Sequence, residues 1–236
     1  MTFCAQCKQD LTESELENEC CVGAQLYGML LFSRQFNRRR VEFQSEHAFV
    51  SDRLVSLLVS WGIPESAIRR ESSARDNVVL IEDRHTAEHL LVDFGYSGDE
   101  LSLRVLEDNF VCEHCLAAFL GGCFLAGGTI TDPKVNYHLE FASHKANLIA
   151  DLSDKLEQAV FTPGVAMRNF KKVLYIKNSS QIEDFLTYIG AVGSSLELMA
   201  TKVYKDIKNR TNRRVNCENA NIDKAVAAAA SDIEDI

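Results

Sequence analysis

Apolar positions recur along the chain with two alternating periods. Residues 20–33 (CCVGAQLYGMLLFS) and 114–127 (HCLAAFLGGCFLAG) are apolar at three- and four-residue spacing, which predicts helices. Residues 39–46 (RRVEFQSE) and 136–143 (NYHLEFAS) alternate apolar and polar, as half-buried strands do. The helical period returns over 48–62 and 146–160, and strands follow at 77–83 (NVVLIED) and 172–178 (KVLYIKN). Helices at 86–95 and 180–190 then each run to a glycine that can adopt the left-handed cap. A further strand is expected at 66–72 (SAIRRES), answered by 165–170 (VAMRNF). The stretch 132–138 (DPKVNYH) reads as a turn set by Pro133.

These elements are one pattern used twice. With a constant offset, Cys21 matches Cys115, Ala24 matches Ala118, Leu26 matches Leu120, Gly28 matches Gly122 and Leu31 matches Leu125. VEFQSEHA (41–48) answers LEFASHKA (139–146), and EHLLVDFG (88–95) answers EDFLTYIG (183–190). The expected architecture is α+β: a helical segment at 1–19, a first repeat at 20–98, a second at 99–195 and a helical linker at 196–236. Two such halves would pack on a pseudo-twofold axis. Glycine inside a helix costs about 1 kcal/mol relative to alanine, so its recurrence at Gly28 and Gly122 calls for a cause. Close approach of the two equivalent helices supplies one, with Ala126 a third small residue expected at that interface.

The chain of 236 residues is 46% hydrophobic and 25% charged, with a net charge of −9. That balance excludes a protein coating nucleic acid over its whole surface, but it leaves room for a local basic patch. TKVYKDIKNRTNRR (201–214) is such a patch, with Lys202, Lys205, Lys208, Arg210, Arg213 and Arg214 against one acid, Asp206. Leu196, Met199, Val203 and Ile207 give its helix one apolar face, off which the three lysines lie. A second helix is expected from Asn216, which can cap it. The final SDIEDI carries neither Gly nor Pro, so a continuation is expected. No apolar run approaches membrane-span length and no signal-peptide core opens the chain, which points to the cytoplasm.

In that compartment eight cysteines read as thiols or ligands. Cys4-x₂-Cys7 and Cys112-x₂-Cys115 have the spacing of a Cys₄ zinc site. More than 100 residues separate them, however, unlike compact zinc modules, so no metal is expected. Cys115 then reads as a packing cysteine like Cys21. The six histidines (47, 85, 89, 114, 138 and 144) form no ligand pattern on one helix and read as surface residues. With no nucleophile elbow, P-loop or dinucleotide fingerprint, neither a catalytic residue nor a cofactor is expected.

The duplicated unit with paired small-residue helices, and LGGCFLAGGT (120–129) in particular, resembles the LAGLIDADG homing-endonuclease fold. In active members an acid near the end of each helix binds a divalent metal, because hard cations take carboxylate oxygen. Those positions fall on Ser33 and Gly127, and the motif's other acidic position falls on Leu31 and Leu125. The resemblance therefore implies the architecture without the chemistry. The tandem CC before AQL, FLAGGTITDP, YHLEF and NRRVNCENANIDKAVAAA (212–229) resemble the WhiA family of bacterial transcription regulators of sporulation and cell division. His114 departs from that pattern, standing where a second cysteine is usual. The resemblance implies a non-enzymatic regulator whose DNA contact lies mainly in a helix-turn-helix domain beyond residue 236. The six basic residues of 202–214 would add phosphate contacts, and a protein partner could dock on the sheet face. A divergent endonuclease or maturase is the alternative.

Overall fold

A computed structural model describes residues 1–74, 76–168 and 171–234, with side chains of 227–234 left aside. Asn169 and Phe170 of the expected strand at 165–170, and the terminal Asp235 and Ile236, lie outside it. Two compact units result, Met1–Ser195 and Leu196–Ile236.

The first unit opens with helix α1 (Phe3–Glu13), whose N-terminus is capped by the Thr2 hydroxyl accepting from the Ala5 N–H. The first repeat runs α2 (Glu19–Leu31), β1 (Gln35–Asn37), β2 (Arg40–Ser45), α3 (Ala48–Ser60), β3 (Arg69–Ser72), β4 (Asn77–Ile81) and α4 (Arg84–Asp93). The second repeats that order with α5 (Cys115–Gly127), β5 (Gly128–Ile130), β6 (Leu139–Ser143), α6 (Ala146–Gln158), β7 (Gly164–Arg168), β8 (Lys171–Ile176) and α7 (Ser179–Tyr188). Each half forms an antiparallel four-stranded sheet, ordered β1-β2-β4-β3 and β5-β6-β8-β7.

Strand alternation builds the two cores. Val41, Phe43, Val79 and Ile81 point inward from the first sheet; Leu139, Phe141, Leu174 and Ile176 do so from the second. Phe124, Phe141, Phe161 and Phe185 meet edge-on in the second core. In the first, Tyr27 and Trp61 stack on Phe94.

Between the repeats α2 crosses α5 backbone against backbone at two glycines. A Cβ on Gly28 would lie 2.3 Å from the Phe119 carbonyl oxygen and 2.9 Å from the Cys123 nitrogen. One on Gly122 would lie 2.1 Å from the Gln25 carbonyl oxygen and 3.1 Å from the Met29 nitrogen. Gln25 and Phe119, like Met29 and Cys123, are repeat equivalents. Each helix thus offers the other the same patch, the signature of a twofold contact. Ala126, one turn further along α5, is half-buried and lines a cleft beyond the crossing.

The segment joining the repeats is held by polar groups. Asp151 on α6 accepts from Arg104 Nε at 2.8–2.9 Å and from the Val105 N–H at 2.8 Å. The Tyr27 hydroxyl shares a 2.6 Å hydrogen bond with Tyr96 and accepts from the Leu106 N–H.

The structure alters the expected tail. Helix α8 (Val192–Glu234) continues through Asn216 without a break. No Gly or Pro interrupts 194–234, and a capping residue inside an unbroken run of helix formers does not start a new helix. Its first turn is fixed by Asp10, whose carboxylate accepts from the Ser194 N–H and hydroxyl, each at 2.6 Å. The expected apolar face stands uncovered, with Leu196, Met199, Val203 and Ile207 all exposed. β1 and β5, three residues each, were not anticipated.

Candidate functional site

Because Gly28 and Gly122 let α2 and α5 touch, the C-terminal ends of both helices open on a common region. Ser33 follows α2 and Gly127 closes α5. The buried Ser33 hydroxyl lies 2.6 Å from the Leu30 and 3.0 Å from the Gln35 carbonyl oxygen, so it serves the turn into β1. Gly127 has no side chain to offer. Leu31 and Leu125 are core residues.

Two lysines approach these ends instead. Lys8 on α1 donates from Nζ to the Leu125 carbonyl at 3.1 Å. Lys145, just before α6, donates to the Leu31 and Ser33 carbonyls at 2.8 and 2.9 Å. A helix C-terminus has unpaired carbonyls and partial negative charge, and an ammonium answers both. Each helix end thus carries a cation from outside the helix pair. A cleft of about 430 Å³ lies beside Lys8, Ser33, Ala126 and Gly127. Glu46 and Asp76 reach its rim, both from the first repeat, so they do not straddle the axis as a metal-binding pair would.

Burial lowers both ammonium pKa values, that of Lys145 to about 8. A lysine with a depressed folded pKa opposes folding fully below about pH 8, and the penalty fades as pH rises towards the usual lysine value, because the unfolded chain then binds more protons. Relative to Lys145→Met, the wild-type protein should gain stability between pH 8 and pH 10. Denaturant midpoints of both proteins across that range measure it, and parallel curves would show that Lys145 is not the responsible group.

The outer sheet faces pair their own charges. Glu42 accepts Arg34 at 3.3 Å and also pairs with Arg40. Arg69 pairs with Glu71 at 2.7 Å and with Glu82 at 3.3 Å. On the second sheet Glu140 sits 3.1 Å from His138 and 3.6 Å from Arg168. Arg34, Arg40, Arg69 and Arg168 are therefore engaged by carboxylates beside them.

Of the six basic residues expected to touch DNA, all lie on α8. Lys208, Arg210, Arg213 and Arg214 are exposed, whereas Lys202 and Lys205 are half-buried. At 100° per residue they wind around the helix rather than lining one face. Arg214 pairs with Glu218 at 2.9 Å.

The cysteine grouping differs from the spacing considered in the sequence. Cys4 and Cys7 belong to α1, where Cys7 is fully buried and its thiol is pushed up to about 12 by that burial. The thiols that converge are Cys20, Cys21, Cys112 and Cys115, all four sulfurs within 4.8 Å of one another. Cys21 and Cys115 thus belong to a group of four thiols that could hold a metal ion, a grouping the spacing did not suggest. The clue was present: a twofold at Gly28 and Gly122 brings the starts of α2 and α5 together. The thiols share hydrogen bonds, and the one from Cys20 draws the Cys112 thiol down to about 6 while Cys20 goes up to about 11.

Twin antiparallel sheets on a pair of helices crossed at glycine define a LAGLIDADG homing-endonuclease-like fold. The chain aligns with the crystal structure of I-DmoI in complex with DNA and Mn at a TM-score of 0.52 and 14% identity, over 73% of this chain and 98% of that one. With full-length DUF199/WhiA from Thermatoga maritima the TM-score is 0.67 at 24% identity, over 94% of this chain and 73% of that one. The family model for the WhiA LAGLIDADG-like domain matches residues 116–208. The probable cell division protein WhiA of Ruminiclostridium cellulolyticum is 34% identical over 100% of this chain and 79% of its own length. That of Clostridium botulinum strain Hall is 32% identical over 98% and 76%. The chain belongs to the WhiA family.

Proposed function

We propose that this protein is a non-catalytic, DNA-binding transcription regulator of the sporulation and cell-division type, acting in the cytoplasm. Its endonuclease-like unit serves as a scaffold rather than as an enzyme. The observation that carries this reading is the pair of helix ends where Ser33 and Gly127 replace the acids and Lys8 and Lys145 approach. A hard divalent cation needs oxygen anions there, and two ammonium groups nearby repel it. DNA contact is assigned to Lys202, Lys205, Lys208, Arg210, Arg213 and Arg214. Phosphate contacts of this kind give affinity without sequence choice.

The sheet faces favour a second role, docking a protein partner. Homing nucleases lay this face on DNA, but here Glu42, Glu71, Glu82 and Glu140 neutralise its arginines. Phosphate would have to displace each carboxylate before pairing with the arginine behind it.

The direct test is incubation of the protein with supercoiled and linear DNA in Mg²⁺ or Mn²⁺, alongside a mobility-shift titration of the same DNA. Binding without strand cleavage is expected, with or without a chelator. Double-strand cuts that need the metal would overturn the reading.

A further inference from the structure

We propose that Cys20, Cys21, Cys112 and Cys115 bind one structural zinc ion that ties the two repeats together at the N-terminal ends of α2 and α5. Cys20 and Cys21 lie in the first turn of α2, Cys115 opens α5, and Cys112 sits one turn before it. Two ligands come from each repeat, so the ion bridges 91 or more residues of chain. It lies at the opposite end of the helix pair from Ser33 and Gly127.

The sulfur geometry selects the type of site. Cys112 Sγ lies 3.4 Å from that of Cys20 and 3.5 Å from those of Cys21 and Cys115. A tetrahedron with Zn–S bonds of about 2.3 Å has sulfur–sulfur edges of about 3.8 Å, so small shifts of the side chains close it. All four cysteines are free thiols. A polynuclear iron–sulfur cluster shares its cysteines among several iron atoms and holds the sulfurs much farther apart. The spacing therefore fits a single ion.

The surroundings suit a zinc tetrathiolate. Zn²⁺ with four neutral thiols gives a centre of charge −2 and releases four protons to solvent. Two helix N-termini point their positive ends at that charge. The Cys112 N–H donates to Cys115 Sγ at 3.4 Å, and the His114 N–H bonds Cys112. Cys21 and Cys115 are buried while Cys20 and Cys112 are half-buried, giving a closed shell of four protein ligands with an entry path. Where the second repeat has lost a tandem cysteine at His114, Cys112 supplies the sulfur instead.

The protein purified without a metal-affinity tag should carry one zinc per chain by mass spectrometry. Replacement by Co²⁺ should produce the visible bands and thiolate charge-transfer absorption of a tetrahedral tetrathiolate. Cys112→Ser should lose the ion or bind it at least tenfold more weakly, whereas Cys4→Ser should retain full zinc content. Chelation of the wild-type protein should lower its melting temperature, which reports the clamp even if a cysteine variant fails to fold. Four reduced thiols without metal, a mass lower by two hydrogens from a disulfide, or iron in place of zinc would each overturn the proposal. So would loss of the ion in Cys4→Ser.

Discussion

Gly122→Leu should unfold the protein or lower its melting temperature by at least 6 °C. Even the first added carbon would stand 2.1 Å from the Gln25 carbonyl oxygen and 3.0 Å from its carbon, both backbone atoms inside α2. Relief requires the helices to separate, and since both sheets are built on those helices, the separation reaches both cores. Overpacking of an ordinary core costs about 1–3 kcal/mol. Here the obstacle is backbone, so about 3 kcal/mol is a lower bound, and a domain of this size loses about 2–4 °C per kcal/mol. Gly28→Leu should behave alike, because its Cβ meets the Phe119 carbonyl at 2.3 Å. Thermal melts of the two variants measure this, and a change below about 2 °C in either would mean that the helices can part cheaply.

That crossing was legible because it rests on local pattern and repetition. The duplicated helix, with glycine at equivalent places in both copies, states its own packing partner. The long strands followed from alternation: Val41 and Phe43, like Leu139 and Phe141, are each separated by one half-exposed residue. β5 was hidden because Gly128-Thr129-Ile130 continues the small-residue run of α5 with no turn between them, and three residues cannot show a period. The lysine positions had no local signal. Lys8 and Leu125 are 117 residues apart, Lys145 and Leu31 are 114 apart, and a hydrogen bond to a helix-end carbonyl leaves no mark on the spacing of either partner. The cysteine group lies between these cases. Its members are far apart in sequence, but the repeat alignment that pairs Cys21 with Cys115 already implied that they would meet.

The helix crossing does not depend on what stands at the ends of α2 and α5. Ser33 and Gly127 lie beyond the contact, which rests on Gly28 and Gly122. The negative potential of two helix C-termini is answered by Lys8 and Lys145. Both lysines come from outside α2 and α5, which ties α1 and the start of α6 to the central pair. Their ammonium groups answer the helix-end carbonyls, and burial makes each charge costly to the fold.

Replacing Lys208, Arg210, Arg213 and Arg214 together by alanine should weaken binding to every DNA duplex alike, whatever its sequence. These four are the exposed members of the basic run, and alanine keeps the helix because its propensity is the highest available. Each phosphate neutralised releases condensed counterions and contributes about 0.9 to the slope of log K against log salt. Losing four contacts should flatten that slope by about 3.6, and the wild-type advantage should shrink by about two orders of magnitude between 50 and 200 mM salt. Because the residues wind around α8, no single face carries the whole effect. Single substitutions should each remove about a quarter of it, except Arg214→Ala, which also frees Glu218 and adds an unpaired negative charge beside the DNA. Binding isotherms on two unrelated duplexes at four salt concentrations separate the outcomes. A flattened slope on both supports phosphate contact by α8. An unchanged slope and affinity on both would make the run a solvated helix face. A loss confined to one duplex would mean that these residues read bases rather than phosphates.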